Sequence, residues 1–271
     1  MIPAEFDYVR PESVDAAVAL LGERGDDASV LAGGHSLLPL MKLRFAVPEL
    51  LIDIGRLEEL QYVRLDGDEI AIGAGTRHST LETSELLHTE CPLLPAVART
   101  VGDPQVRHRG TLGGSLAHAD PASDLPAAAL ALDATVVLLG PRGERRVPST
   151  DFYTGVFSSV KEPDELLVEV RVPRTGAAGW AYEKFTRRAN DWAIVAVAVV
   201  DGRVGLVNMG PTPLRASATE AALARGASIA EAAALADQDT DPPADLAGTK
   251  EYRRHLARLL TRRALTTAHD R

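Results

Sequence analysis

Apolar positions along the chain change period several times, and each change predicts a different element. In residues 11–24, PESVDAAVALLGER, the residues Val14, Ala17, Val18 and Leu21 share one helical face, with Pro11 near the start and Gly25 beyond the end. ASVLA (28–32) then reads as a strand, SLLPLMKLR (36–44) as an irregular helix or turn, and ELLIDI (49–54) as a further strand. YVRLDGDEIAIGAG (62–75) predicts a hairpin around Asp66-Gly67, the dipeptide favoured in two-residue turns. Ser79 and Glu82 have capping-box spacing and predict a helix start, and a second helix is predicted over about 93–101.

The stretch 102–126, rich in Gly, Asp and Pro, predicts irregular backbone between strands DATVVLLG (133–140) and ELLVEVRVP (165–173). A Pro/Gly/Ala-rich break near 173–179 marks a domain boundary. WAYEKF (180–185), WAIVAVAVV (192–200), an Asp201-Gly202 turn and RVGLVNM (203–209) read as an antiparallel meander, and 217–269 as helical. Strands and helices cluster rather than alternate strictly, so the fold class is α+β.

The 271 residues suffice for a sizeable core and for one to three domains. The formal net charge of −9, without blocks of Lys and Arg, argues against a nucleic-acid partner. Any bound phosphate should therefore be held mainly by backbone N–H groups. No window predicts an integral membrane segment, and MIPAEFDYVRPE lacks a signal-peptide pattern, so the expected location is cytoplasmic. A lone cysteine, Cys91, allows neither an internal disulfide nor a self-contained iron–sulfur cluster. It reads as a buried small apolar residue.

Two stretches carry candidate chemistry. VLAGGHSLLPLMKLR (30–44) and TLGGSLAHADPASDLPAA (111–128) both place Gly-Gly after an apolar run, followed by small polar and apolar residues. Glycine permits close backbone approach, and successive N–H groups in such turns form an anion-binding concavity. Two turns of this kind could clamp a diphosphate; either pair alone is also ordinary turn chemistry. The residues by themselves point to an anion or nucleotide site without naming the nucleotide. Trp192 reads as core, Lys184, Arg187 and Arg188 as solvated charge, His118 as a loop contact, and Arg107 and Arg109 as surface cations. Asp124 reads as a helix cap by its position alone.

These two stretches resemble the flavin-binding signatures of the FAD-binding medium subunit of molybdenum hydroxylases, the family of the aerobic carbon monoxide dehydrogenase medium subunit and the xanthine dehydrogenase FAD domain. The resemblance continues through ELLVEVRVP, YEKFTRRANDWAIVAVA and NMGPTPLRA, and covers nearly the whole chain. It implies a two-part FAD-binding domain of the vanillyl-alcohol-oxidase/PCMH type over 1–176, divided into about 1–56 and 57–176, and a C-terminal antiparallel sheet-and-helix domain over 177–271. It implies that Ala32, Gly33, Gly34, His35 and Ser36 form the first diphosphate loop, and Thr111, Leu112, Gly113, Gly114 and Ser115 the second. Ser115 departs from the Asn that many relatives carry there, which shortens a side-chain contact. Asp124 would contact the flavin's polyol or ribose chain, and Leu167 and Lys184 would lie near the flavin.

The same resemblance implies an electron-transfer subunit with no catalytic acid or base. Its partners would be a small [2Fe-2S] iron–sulfur subunit and a large molybdopterin subunit, assembled as a dimer of heterotrimers that delivers electrons to an external acceptor. Two other readings stay open. His35 in Gly-Gly-His also resembles the loop of FAD oxidases with a covalent histidyl flavin, which would make the chain a self-sufficient oxidase or dehydrogenase. A flavin-free assembly subunit is the third.

Overall fold

In the computed structural model, which describes residues 2–271, the Ser13 side chain accepts from the Ala16 amide at 3.1 Å and starts helix α1. Strand β1 (Asp7–Val9) precedes α1 (Val14–Arg24); β2 (Ala28–Leu31), α2 (Leu37–Leu43) and β3 (Leu50–Asp53) follow. The three strands form a parallel sheet in the order β1-β3-β2. Val14, Ala17, Val18 and Leu21 bury the predicted face of α1 against Leu50, Ile52 and Ile54. The irregular segment after β2 is a short helix, of which only Met41 is buried.

The second part opens with the hairpin β4 (Val63–Asp66) and β5 (Glu69–Gly73), turning at Gly67 with φ +63°. Six helices follow: α3 (His78–Thr83), α4 (Glu85–Glu90), α5 (Leu93–Ala98), α6 (Pro104–Arg107), α7 (Leu112–His118) and α8 (Asp124–Ala131). Then come β6 (Thr135–Gly140), β7 (Gly143–Pro148), α9 (Ser149–Phe152), the small hairpin β8 (Tyr153–Gly155) with β9 (Ser158–Ser159), and β10 (Leu166–Pro173). Their antiparallel sheet has the order β4-β5-β10-β6-β7. Ile70, Ile72, Val136, Leu138 and Val170 form a core with Leu81, Leu94, Val97, Leu112, Leu116 and Leu125 from the helices. Cys91 is buried within it, as expected, and burial pushes its thiol up to about 12.

Two expectations need correction here. Helix α3 starts at His78 after Arg77, with no side-chain cap, so the Ser79–Glu82 spacing is not a capping box. The stretch 102–126 is not irregular. Asp103 accepts from the Val106 amide at 2.9 Å and starts α6, with Pro104 at its first position, and Thr111 starts α7. Strands β1 and β7 escape the apolar pattern because β1 has three residues and β7 buries only Val147 at the sheet edge.

The last part is the expected meander: β11 (Trp180–Phe185), β12 (Val195–Val200), β13 (Arg203–Val207) and β14 (Leu214–Arg215). Three helices follow, α10 (Ser217–Ala224), α11 (Ile229–Ala233) and α12 (Lys250–His269). The helical expectation fails over 234–249, where Pro242-Pro243 and a run of Asp break the pattern. Every residue of β12 is buried because the strand is covered on both faces. Val195, Val197 and Val199 meet Leu256, Leu260 and Ala264 of α12, while Ala198 and Val200 join the core of the second part. The sheet lies so close to α8 that a Cβ on Gly205 would stand 2.1 Å from the Ala127 carbonyl oxygen.

Candidate functional site

A cavity of about 720 Å³, within the roughly 300–1,000 Å³ typical of cofactor sites, is walled by all three parts. Ala32, Gly33, Gly34, His35, Ser36, Thr111, Gly113, Gly114, Ser115, Asp124, Leu167 and Lys184 line it. Leu112 does not; it points into the core beneath.

The first glycine pair follows β2, and Gly34 takes φ +78° to turn the chain into α2. The amides of Gly33, Gly34, His35, Ser36 and Leu37 find no acceptor within the chain among the described residues. Five successive donors thus edge the cavity. The imidazole of His35 is exposed at its rim.

The second pair is different, and the symmetric picture of two amide-lined turns must be corrected. Gly113 and Gly114 occupy the first turn of α7. Leu112 N–H donates to Thr76 O and Gly113 N–H to Ala74 O, while Gly114 N–H and Ser115 N–H go to Thr111 Oγ1 and Thr111 O. Residues 74–78 run antiparallel to 110–113 and take the amides of Leu112 and Gly113, while Thr111 takes those of Gly114 and Ser115, which leaves only Thr111 N–H of residues 110–115 without an acceptor among the described residues. The glycines serve close packing: a Cβ on Gly113 would lie 2.5 Å from Ala74 Cβ. On the other side, a Cβ on Gly33 would lie 2.3 Å from Arg109 O, and one on Gly114 would lie 4.0 Å from Ala32 Cβ, so the two signatures abut.

Asp124 and Lys184 form a buried ion pair on the cavity wall. Lys184 Nζ donates to Asp124 Oδ2 at 2.7 Å and to Thr100 O at 3.0 Å, and Tyr182 O–H donates to Asp124 Oδ1. Asp124 lies in the first turn of α8 after Ser123 and does not cap it. Burial raises its pKa, against the pull of Lys184 and Tyr182. Lys184, expected to be solvated, has a side chain only 9% exposed, whereas Trp192, expected in the core, is 59% exposed and lines the cavity mouth. Leu167 precedes a bulge in β10.

His118 lines the cavity and stacks 5.0 Å from Phe157. Arg107 is tied to Glu82 at 2.7 Å instead of being a free surface cation, and Arg109 is exposed.

Sequence reasoning missed two residues. Arg77 donates to Arg109 O and, at 3.0 Å, to Gly55 O, holding the first part against the second. His78, buried at the start of α3, lines the cavity beside Thr111 and Ser115. Both follow directly on β5 and the turn 74–76, and that position after a strand was the available signal.

Residues 4–175 match the family described as "FAD binding domain in molybdopterin dehydrogenase", and residues 180–268 match "CO dehydrogenase flavoprotein C-terminal domain". The chain is 45% identical to the carbon monoxide dehydrogenase medium chain of Hydrogenophaga pseudoflava, over 100% of this chain and 99% of that one. It is 40% identical to the 6-hydroxypseudooxynicotine dehydrogenase complex subunit alpha of Paenarthrobacter nicotinovorans, covering 100% and 97%. A structure of the Hydrogenophaga pseudoflava carbon monoxide dehydrogenase lacking the Mo-pyranopterin moiety of its molybdenum cofactor superposes with a TM-score of 0.96, at 46% identity and 100% and 99% coverage. The α+β fold, the FAD-binding part and the C-terminal sheet-and-helix part are those the sequence motifs imply. The chain therefore belongs to the FAD-binding subunits of the molybdopterin dehydrogenases, the oxidoreductase family of the carbon monoxide dehydrogenase medium chains.

Proposed function

We infer that this chain carries FAD in the cavity and passes electrons from a [2Fe-2S] partner subunit to an external acceptor, within a molybdenum hydroxylase most similar to aerobic carbon monoxide dehydrogenase. The observation that carries the reading is the run of five acceptor-free amides from Gly33 to Leu37 on the cavity edge. A chain of net charge −9 has this means of holding a diphosphate without a basic patch. When bound, FAD supplies redox chemistry, exchanging electrons singly or in pairs. The chain's own residues bind and orient it. The amides from Gly33 to Leu37 would hold the diphosphate, with Ala32, His35 and Ser36 completing that loop and Thr111, Gly113, Gly114 and Ser115 lying against it. On the cavity wall, Asp124 would contact the polyol or ribose chain and Leu167 and Lys184 would lie near the flavin, which needs no catalytic acid or base from this chain.

A single cysteine, Cys91, is too few for an iron–sulfur cluster of the chain's own, so the clusters would be held by another subunit. We assign the partners as a small iron–sulfur chain and a large molybdopterin chain in a dimer of heterotrimers. The FAD-binding domain spans 1–176 in two subdomains, 1–56 and 57–176, with the C-terminal domain over 177–271. No helix among the described residues is long and apolar enough to cross a membrane; we propose a cytoplasmic location, which a chain with one cysteine and so no internal disulfide suits.

The test uses the purified multi-subunit complex. Stepwise reduction with limiting dithionite should bleach flavin absorbance along with that of the clusters, and acid precipitation should release the yellow colour into the supernatant. Clusters that reduce while the flavin stays oxidised refute the electron route. Colour kept in the pellet would instead establish a covalent flavin, for which exposed His35 is the candidate attachment residue.

A further inference from the structure

The second signature reaches the cavity with almost no backbone donors left, since the amides of Leu112, Gly113, Gly114 and Ser115 all end on protein oxygens. What it can still offer is side-chain hydroxyl, on Thr111 and Ser115. Ser115 Oγ lies 3.1 Å from His78 Nε2, and the same nitrogen lies 3.0 Å from the Thr111 carbonyl oxygen. A carbonyl only accepts, so Nε2 carries the proton. Ser115 Oγ, beside that N–H, then acts as an acceptor, and its own hydrogen is left to donate elsewhere. The other ring nitrogen, Nδ1, is buried without a partner and faces Gly110, where an added Cβ would stand 2.8 Å away. A proton there would have no acceptor, which disfavours both the alternative tautomer and the imidazolium.

We propose that His78 is a positioning residue for the cofactor: it fixes the Ser115 hydroxyl so that its hydrogen points into the cavity and donates to an oxygen of bound FAD. This rests on the cavity being the FAD site. The division of labour is asymmetric. The first loop supplies backbone amides, the second a hydroxyl held from behind by a neutral, buried imidazole. Burial lowers the His78 pKa to about 4, which keeps the ring neutral across the physiological range.

The proposal is tested in the purified complex, stripped of flavin and titrated back with FAD while fluorescence is followed. Ser115→Ala and His78→Phe should each weaken FAD binding about tenfold, the loss of one hydrogen bond to a ligand. The double variant should be no weaker than either single one, because both remove the same contact. His78→Gln, which can return an N–H near the Nε2 position, should recover most of the affinity; a packing role alone would not give that rescue. Should His78→Phe not assemble, His78→Asn takes its place, since its amide is too short to reach Thr111 O and Ser115. Effects that multiply in the double variant, or unchanged affinity in His78→Phe (or in His78→Asn where that replaces it), overturn the proposal. A wild-type complex that binds no FAD at all sinks the cofactor reading instead.

Discussion

A Cβ on Gly33 would stand 2.3 Å from the Arg109 carbonyl oxygen and 2.9 Å from the Gly110 Cα, both backbone atoms that cannot rotate aside. On Gly114 the nearest atom is the Thr111 hydroxyl at 2.7 Å, which can turn away at the loss of a helix cap. Gly33→Ala should therefore destabilise by about 1–3 kcal/mol through overpacking and lower the flavin content, with Gly114→Ala milder at about 1 kcal/mol. Melting temperature and the flavin-to-protein absorbance ratio measure both, and full flavin content in Gly33→Ala would contradict the close approach. The first pair was legible because a strand end, a glycine with positive φ and a following helix suffice for an open turn. The second was not, because the same letters become a helical turn once Ala74 takes the Gly113 amide and the Thr111 hydroxyl that of Gly114. Lys184 and Trp192 were misread for a related reason: the partner that buries Lys184 is sixty residues away, and Trp192 sits just ahead of the buried run.

Helices α3 and α7 meet through His78, and their contact is expected to weaken in acid. The ring is neutral and buried, with a pKa lowered from 6.5 to about 4 chiefly by desolvation. The unfolded chain therefore binds a proton more readily than the folded one between those values, and stability falls as pH drops through that window. A shift of this size corresponds to about 3 kcal/mol, complete near pH 4. Urea unfolding at pH 7 and pH 4.5 should show most of this loss in the wild type and a smaller one in His78→Gln; equal losses would assign the acid sensitivity to other groups. Elements with strong periodicity, α1, the β4–β5 hairpin and the β11–β13 meander, were readable from the chain. Helices α6 and α7 were not. They hold four and seven residues, rest on side-chain caps at Asp103 and Thr111, and bury a glycine against Ala74 where a periodic apolar face would be expected.

Over the whole molecule, the C-terminal sheet is fastened to the second part by apolar packing along β12, by the more exposed ion pairs of Asp133 with Arg203 and Arg215, and by one deeply buried charge pair, Asp124 with Lys184. The apolar contact is broad and forgiving; the ion pair is neither. Removing one charge leaves the other desolvated, which typically costs about 3–5 kcal/mol, whereas replacing both with neutral groups of similar shape is close to neutral. In Lys184→Met, Asp124 keeps only the Tyr182 hydroxyl, and burial then drives its pKa higher still, toward a protonated acid. Lys184→Met should thus lower unfolding stability by several kcal/mol, with the deficit shrinking at acid pH as Asp124 takes up a proton. Adding Asp124→Asn should recover much of it, because Asn can still accept from Tyr182. Urea unfolding of the four members of this cycle measures the coupling, and strictly additive losses would mean that the pair fills space on the cavity wall without joining the two halves electrostatically. Since the same two side chains line the cavity, this one contact contributes both to the attachment between the parts and to the shape of the cofactor site. Flavin retention should therefore follow stability across the cycle, highest in the wild type, lowest in Lys184→Met and intermediate in the double variant.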